Sequence, residues 1–263
     1  MMRLLHLSDT HFGTERIEVA RALAQLSRQL APTHLVLSGD ITQRARPAQF
    51  ALARRFIDAL SVPQLMVVPG NHDIALFNLV KRLFFPYRDY LRIMQQPLES
   101  TLDDDEALII GLNTTRRYRH IQGEVSDRQI RSSCAALAAA DPGQLRIVVT
   151  HQPAAVWRDE DRKDQLRGGE AALRAWAMAG ADLVLGGHIH LPYLMALHEQ
   201  LPGVARRCWL LQAGTAVSHR VRAEAGNSVN FIMRAGSRCE VQRWDYVDGQ
   251  FALQQATSLP LQR

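Results

Sequence analysis

Short apolar runs alternate with amphipathic stretches through the first third of the chain. Arg3–Ser8 (RLLHLS), His34–Ser38 (HLVLS) and Gln64–Val68 (QLMVV) have the length and apolar content of buried strands. Between the first two, Glu15–Leu30 sets Ile17, Ala20, Leu23, Ala24, Leu26 and Leu30 at helical spacing. Pro47–Leu60 opens on a proline, which suits a first helical position because the N–H it lacks would be unpaired there. It then repeats Phe50, Ala51, Phe56, Ile57 and Leu60. Strand–helix–strand alternation predicts parallel strands joined by right-handed crossovers, an α/β fold.

Ala107–Leu112, Leu145–Thr150 and Asp182–Leu185 read as further strands, and Asp127–Ala140 and Gly169–Ala179 as helices. Between them and the first third, Ile74–Gln96 breaks the pattern. It holds Phe77, Phe84, Phe85, Tyr87 and Tyr90 among Lys81, Arg82, Arg88 and Arg92, and is expected to be helical in part. From Tyr193 onward short strands predominate: Cys208–Gln212, Ser228–Met233 and Cys239–Tyr246. Their near-alternation predicts antiparallel pairing, with the last few residues as a tail. With no repeat or linker, residues 1–263 are expected to form one domain.

A chain of 263 residues with 47% hydrophobic and 22% charged residues is neither wholly disordered, collagen-like nor a coiled coil. The net charge of +5 comes from arginine, since only Lys81 and Lys163 are lysine, and no dense basic run occurs. That suits an anionic small substrate and predicts no obligate nucleic-acid partner. Cys134, Cys208 and Cys239 form no disulfide framework or CxxC motif, and read as small buried hydrophobes in a reducing compartment. The N-terminus reaches Asp9 before any apolar leader forms, and no stretch is long and apolar enough to span a membrane. The expected location is the cytoplasm.

Five short motifs fall just after predicted strands: Asp9-Thr10-His11, Gly39-Asp40, Gly70-Asn71-His72-Asp73, His151, and Gly187-His188-Ile189-His190. Singly each has a plain structural reading; Gly-Asp is a common turn, and Asp73 is a candidate N-cap for the following helix. Jointly they belong together, because the carboxyl ends of parallel strands share one edge, where ligands bind. Imidazole and carboxylate donors suit borderline divalent ions, leaving Mn, Fe, Zn and Co open. Asp9, His11, Asp40, Asn71, His151, His188 and His190 are too many ligands for one tetrahedral ion. They suit two ions roughly 3.5–4 Å apart sharing a carboxylate.

The ordered set, D-x-H, G-D, G-N-H-D, H and G-H-x-H, resembles the calcineurin-like metallophosphoesterases over residues 3 to 215. The resemblance implies a four-layer α/β/β/α sandwich of two mixed sheets, with the C-terminal strands in the second sheet. It implies one metal on Asp9, His11, Asp40 and His190, and another on Asp40, Asn71, His151 and His188, with Asp40 bridging. It also implies that His72 acts near the leaving group, as general acid or transition-state stabiliser. Gly111-Leu-Asn-Thr-Thr115, Gly123–Ile130 and Gly214–Arg222 look like the branch of bacterial class III cyclic nucleotide phosphodiesterases and glycerophosphodiesterases.

The expected activity is hydrolysis of a phosphodiester of a small molecule, with 3',5'-cyclic AMP as first substrate. A hydroxide bridging the ions attacks phosphorus and His72 assists the departing alkoxide. Alternatives are a UDP-diacylglucosamine-type lipid pyrophosphohydrolase with an apolar groove at Phe77, Phe84 and Phe85, then a nuclease, then a non-catalytic metal-binding protein. Because it directly follows Asn71 and His72, the segment 74–100 is a candidate cap over the site. Arg116, His120, His219 and Arg222 are candidate substrate contacts. His6 and His34 read as core or edge residues and His198 as a surface one. The protein is expected to be a monomer or homodimer, with Tyr193–Gln212 as a candidate dimer edge.

Overall fold

The computed structural model describes residues 1–76, 79–236 and 238–262. Phe77, counted above among the aromatics of Ile74–Gln96, lies outside the described residues. Strands β1 (Met2–Leu7), β2 (His34–Leu37) and β3 (Gln64–Val67) are parallel and are joined by helices α1 (Ile17–Leu30) and α2 (Pro47–Leu60). After two short helices, α3 (Leu79–Phe84) and α4 (Arg88–Met94), come β4 (Ser100–Asp103) and β5 (Ala107–Gly111). Helix α5 (Asp127–Ala139), β6 (Leu145–Val149), α6 (Gly169–Ala179) and β7 (Leu183–Gly186) follow. The chain ends with β8 (Tyr193–Ala196), α7 (Leu197–Gln200), β9 (Trp209–Gln212), β10 (Ser228–Ala235), β11 (Arg238–Val247) and β12 (Gln250–Pro260).

These strands make two mixed six-stranded sheets, β12-β11-β10-β1-β2-β3 and β4-β5-β6-β7-β9-β8. Strand alternation sorts the apolar side chains into three layers. Leu5, Leu7, Leu35 and Leu37 face α1 and α2, packing with Val19, Leu23, Phe50 and Ile57. Leu4, Val36 and Met66 face the other way, meeting Ile109, Ile147 and Leu185 of the second sheet. That sheet's outer face packs Val148, Val184 and Leu210 against Leu137, Leu173 and Trp176 of α5 and α6. The result is the expected α/β/β/α sandwich. Local signals agree with it: Pro47 opens α2, and Ser126 and Gln129 cap α5 reciprocally.

The C-terminal third departs from the reading of the sequence. β10 and β11 are antiparallel as expected, but β10 pairs with β1 and so completes the first sheet, not the second. β9 keeps the expected antiparallel pairing on one side, with β8, but on the other is parallel to β7. The supposed tail is β12, eleven residues paired along β11, in which only Phe251 and Leu259 are buried. A strand so polar on both faces leaves no alternation to read. Cys208 and Cys239 are buried, Cys134 is half-buried, and all three are free thiols. His6 and His34 are buried; His198 is half-buried, its ring edge-on to Trp209 rather than free at the surface. Among the described residues no helix is long and apolar enough to cross a membrane.

Candidate metal centre

The motif loops leave the C-terminal ends of β1, β2, β3, β6 and β7 and meet where the two sheets face each other. Backbone and side-chain bonds zip them together. Asp9 N–H donates to the Gly39 carbonyl (3.0 Å) and His11 N–H to the Asp40 carbonyl (2.9 Å). His188 N–H donates to Asp9 Oδ2 (2.9 Å), tying the second sheet to the first. Gly70 and Gly187 permit the close approach: a Cβ on Gly70 would collide with Asp40, and one on Gly187 with Ser8 and Asp9.

Asp73 does not cap the next helix. Its carboxylate accepts N–H bonds from Gly70 (2.8 Å), Ile41 (3.1 Å) and Thr42 (2.9 Å), which fixes the Gly39-Asp40 loop against the Asn71-His72 turn. Burial and the nearby Asp40 charge push its pKa up to about 6. Ten described residues other than glycine have positive φ, and five of them are Asp9, His11, Asp40, His188 and His190. Such conformations cost energy and collect at functional sites. Here they turn the side chains off the strand ends toward one point.

Two groups of donors result. In the first, His11 Nε2 lies 3.4 Å from His190 Nε2 and 3.7 Å from both Asp9 Oδ1 and Asp40 Oδ2. In the second, His151 Nε2 lies 3.3 Å from Asp40 Oδ1 and 3.2 Å from Asn71 Oδ1, with His188 in the same cluster. Asp40 thus presents one oxygen to each group. Outer ring nitrogens fix the tautomers: His151 Nδ1 donates to the Ser38 carbonyl (2.8 Å), and His190 Nδ1 donates to the Arg220 carbonyl. When the rings are neutral, both Nε2 atoms therefore present lone pairs to the cluster.

Ring nitrogens and carboxylate oxygens converge here, an arrangement that a cation satisfies once it displaces the proton His151 would otherwise hold. Asp9 Oδ1 and His188 Nδ1 are buried and lack a hydrogen-bond partner among the described residues. Electrostatics point the same way. Burial alone would raise the Asp9 and Asp40 carboxyls, yet His190 beside Asp9 and His151 beside Asp40 hold both well below the usual range. Burial pulls His151 down, but Asp40 outweighs it and pushes His151 up to about 9. Burial, then His151, presses His188 down to about 3. The donor set fits two divalent ions.

His72 sits at the rim of this floor. Its N–H donates to Asp40 Oδ1 (2.8 Å), its Nδ1–H to the Gln43 carbonyl (3.0 Å), and its ring stands edge-on to His11 at 4.8 Å. The four expected substrate contacts diverge. His120 is exposed and borders a hollow of about 440 Å³ with Tyr118, Lys163 and Asp164; partial burial and the positive Arg82 lower its pKa. Arg116 is taken up by the Asn113 and Thr115 carbonyls and Gln129. Arg222 is paired with Asp161 (2.9 Å) and Glu160 (3.1 Å), and His219 points into solvent while its backbone N–H binds Thr14. Arg220, which follows His219 directly, reaches His72 instead. Only the folding of the loop after β9 shows this; nothing in the local sequence separates Arg220 from Arg222.

The segment after His72 divides. Tyr90 is buried against Phe50 and donates to the Val67 carbonyl (2.8 Å). Arg82 donates to the carbonyls of Arg117 (2.7 Å) and Arg119 (2.6 Å), tying α3 to the loop that bears His120. Leu79, Val80, Leu83, Phe84 and Phe85 are all more than half exposed.

Comparison with known proteins agrees with this geometry. The family model for calcineurin-like phosphoesterases matches residues 2–192. The chain is 28% identical over 163 residues, 58% of its length, to the glycerophosphodiester phosphodiesterase GpdQ of Enterobacter lignolyticus (strain SCF1). It is 26% identical over 202 residues, 71% of its length, to a probable cyclic nucleotide phosphodiesterase of Rhodococcus erythropolis (strain PR4 / NBRC 100887). The matches span 57% and 64% of those relatives, less than two thirds of each. In fold, it superposes with a TM-score of 0.69 on a dimetal phosphatase from Danio rerio, covering 99% of both chains at 12% identity.

Proposed function

The chain belongs to the calcineurin-like phosphoesterase family, and from that premise we propose that it is a two-metal phosphodiesterase of a small molecule, with 3',5'-cyclic AMP the first substrate to test. The observation that carries the reading is the position of Asp40, with one oxygen facing the Asp9/His11/His190 group and the other facing Asn71 and His151. Asp9, His11, Asp40 and His190 would hold one ion, and Asp40, Asn71, His151 and His188 the other. Two ions so held would supply Lewis acidity toward the phosphoryl group and would make water near them a better nucleophile.

The chain's own residues do the rest. The left-handed turns at Asp9, Asp40 and His188 fix the ligands before substrate arrives, so no reorganisation falls on the reaction itself. His72 has its Nδ1–H committed to Gln43, which leaves Nε2 as the atom that takes up a proton from solvent and passes it to the leaving oxygen. The net positive charge favours an anionic substrate. The activities named for the two relatives, glycerophosphodiesterase and probable cyclic nucleotide phosphodiesterase, support a diester over a monoester.

One observation favours a second reading. The exposed apolar face at Leu79, Val80, Leu83, Phe84 and Phe85 is of a kind that marks a binding surface, and it would suit the acyl chains of a lipid pyrophosphate.

The test is hydrolysis by metal-reconstituted protein of cyclic AMP, cyclic GMP, bis(p-nitrophenyl) phosphate, p-nitrophenyl phosphate and UDP-diacylglucosamine, with His72→Ala alongside. The expected result is turnover of the diesters, falling on the order of 10²–10⁴-fold in the variant with both metals retained. Turnover of the lipid alone would replace the first reading with the second. No turnover of any compound by metal-loaded protein would overturn both.

A further inference from the structure

Arg220 lies in the loop between β9 and β10, half-buried, at the mouth of the metal centre. Its Nη1 donates to Gln43 Oε1 (3.1 Å) and lies 3.2 Å from His72 Nε2. His72 Nδ1 already gives its hydrogen to the Gln43 carbonyl, so Nε2 is the acceptor and the guanidinium the donor. The cation therefore stands against the ring atom that faces the reacting group.

Its loop is firmly placed. The Arg220 carbonyl accepts from Thr215 Oγ1 (2.5 Å) and from His190 Nδ1, and its N–H donates to Ser218 Oγ (3.1 Å). Asn227 holds the Thr215 and Ser218 carbonyls (3.3 and 2.8 Å). Two residues on, Arg222 clasps Asp161, Glu160 and Glu224.

The charges of the neighbouring arginines are otherwise engaged. Arg222 is neutralised by carboxylates, Arg119 pairs with Glu124 (3.2 Å), and Arg82 and Arg116 are wrapped by carbonyls and an amide. Among the described residues no carboxylate forms an ion pair with Arg220; its two bonds are to a neutral amide and a neutral ring. A guanidinium held beside a reactive histidine with its charge uncompensated is a ready site for an oxyanion.

We propose that Arg220 binds the phosphoryl group of the substrate, Nη1 turning from Gln43 and His72 to a non-bridging oxygen, and that it stabilises the charge that grows there during hydrolysis. This rests on the phosphodiesterase reading. No covalent step is assigned to Arg220: its N–H groups donate hydrogen bonds and keep their protons. Binding of phosphate releases His72 Nε2 from the guanidinium; the freed lone pair takes up a proton from solvent, and the imidazolium so formed returns that proton from Nε2 to the leaving oxygen.

The test uses metal-reconstituted protein and the variants Arg220→Gln and Arg220→Lys. The readouts are metal content, thermal melting, calorimetric binding of inorganic phosphate, and kcat and KM for bis(p-nitrophenyl) phosphate. Arg220→Gln is expected to keep both metals and its melting temperature, to bind phosphate at least about tenfold more weakly, and to lose roughly 10²-fold in kcat/KM. Arg220→Lys, with the charge but not the fork, is expected to recover part of the phosphate affinity. Unchanged phosphate binding in Arg220→Gln with metals in place would overturn the proposal. Loss of metal from that variant would also overturn it, because Arg220 would then act only through the His190 loop. Arg220-dependent phosphate binding by a parent protein that hydrolyses no diester would uphold the contact while sinking the functional reading.

Discussion

The floor of the metal centre and its rim are built on opposite principles. On the floor, Asp9, His11, Asp40 and His151 are at most 1% exposed, and backbone bonds from three strands hold their loops. Buried charge is tolerated there because acids and imidazoles alternate, each depressing or raising its neighbour's pKa. The α3 segment that follows His72, a candidate rim, carries Phe84 69% and Phe85 56% exposed, and the charges near it gather instead around Asp89, with Lys81, Arg88 and Arg92. Floors of this kind fix the chemistry and leave little freedom for change. Exposed segments can vary at small cost, so α3 is the place to test for substrate choice.

The largest break in that contrast is Asp40→Asn. The amide keeps the shape and one acceptor oxygen but removes the charge shared by both donor groups. Activity is expected to fall by at least roughly 10³-fold, and metal content to drop below two ions per chain. Metal analysis of the purified variant checks this; two ions retained at full affinity would show that Asp40 is not shared.

A subtler test of the floor is its proton linkage. In the metal-free protein His151 titrates at about 9, so near neutral pH it holds a proton on the nitrogen that faces Asp40 and Asn71. An incoming ion has to displace that proton. Below about 9 the apparent affinity for Mn²⁺ is therefore expected to weaken by roughly tenfold per pH unit, and to level off above it. The sign follows from the raised pKa: rising pH removes the competing proton. Competition calorimetry between about pH 6 and pH 9 measures it, and pH-independent affinity would show that His151 is not displaced.

How legible these parts were follows from how far each depends on long-range folding. Asp9, Asp40, Asn71, His151 and His188 could be placed because each stands within a few residues of a strand end, and parallel strands put such ends on one edge. The α/β/β/α layering was open to the same argument. The sheet to which β10 belongs was not, because its pairing with β1 joins Met2 to Arg234, and alternation in Ser228–Met233 says nothing about a partner so distant. β12 was hidden by its own polarity, having one neighbour and two buried apolar residues. Arg220 and Arg222 look alike in sequence; their roles part because the loop turns one toward His72 and the other toward Asp161. In Ile74–Gln96 composition alone could not tell Tyr90, packed on Phe50, from Phe84 and Phe85, which face outward.

The smallest effect is expected at the rim. Changing Phe84 and Phe85 together to serine removes two largely exposed rings, so stability should move by no more than about 0.5 kcal/mol. Tyr90→Ala, in the next helix α4, empties a buried site and should cost about 3–5 kcal/mol, which shows what a core aromatic in the same segment is worth. On bis(p-nitrophenyl) phosphate the double serine variant should stay within about twofold of the parent, since the floor and His72 are untouched. Its rate on UDP-diacylglucosamine carries the information. If the rings hold an acyl chain, that rate falls on the order of tenfold or more while the aryl diester is unaffected, because each chain loses apolar area worth about 25 cal/mol per Å². If cyclic nucleotides are the substrates, those rates are unchanged and the apolar face takes no part in catalysis. A loss on every substrate would place the rim over the metals themselves, and the contrast between a fixed floor and an independent rim would fail.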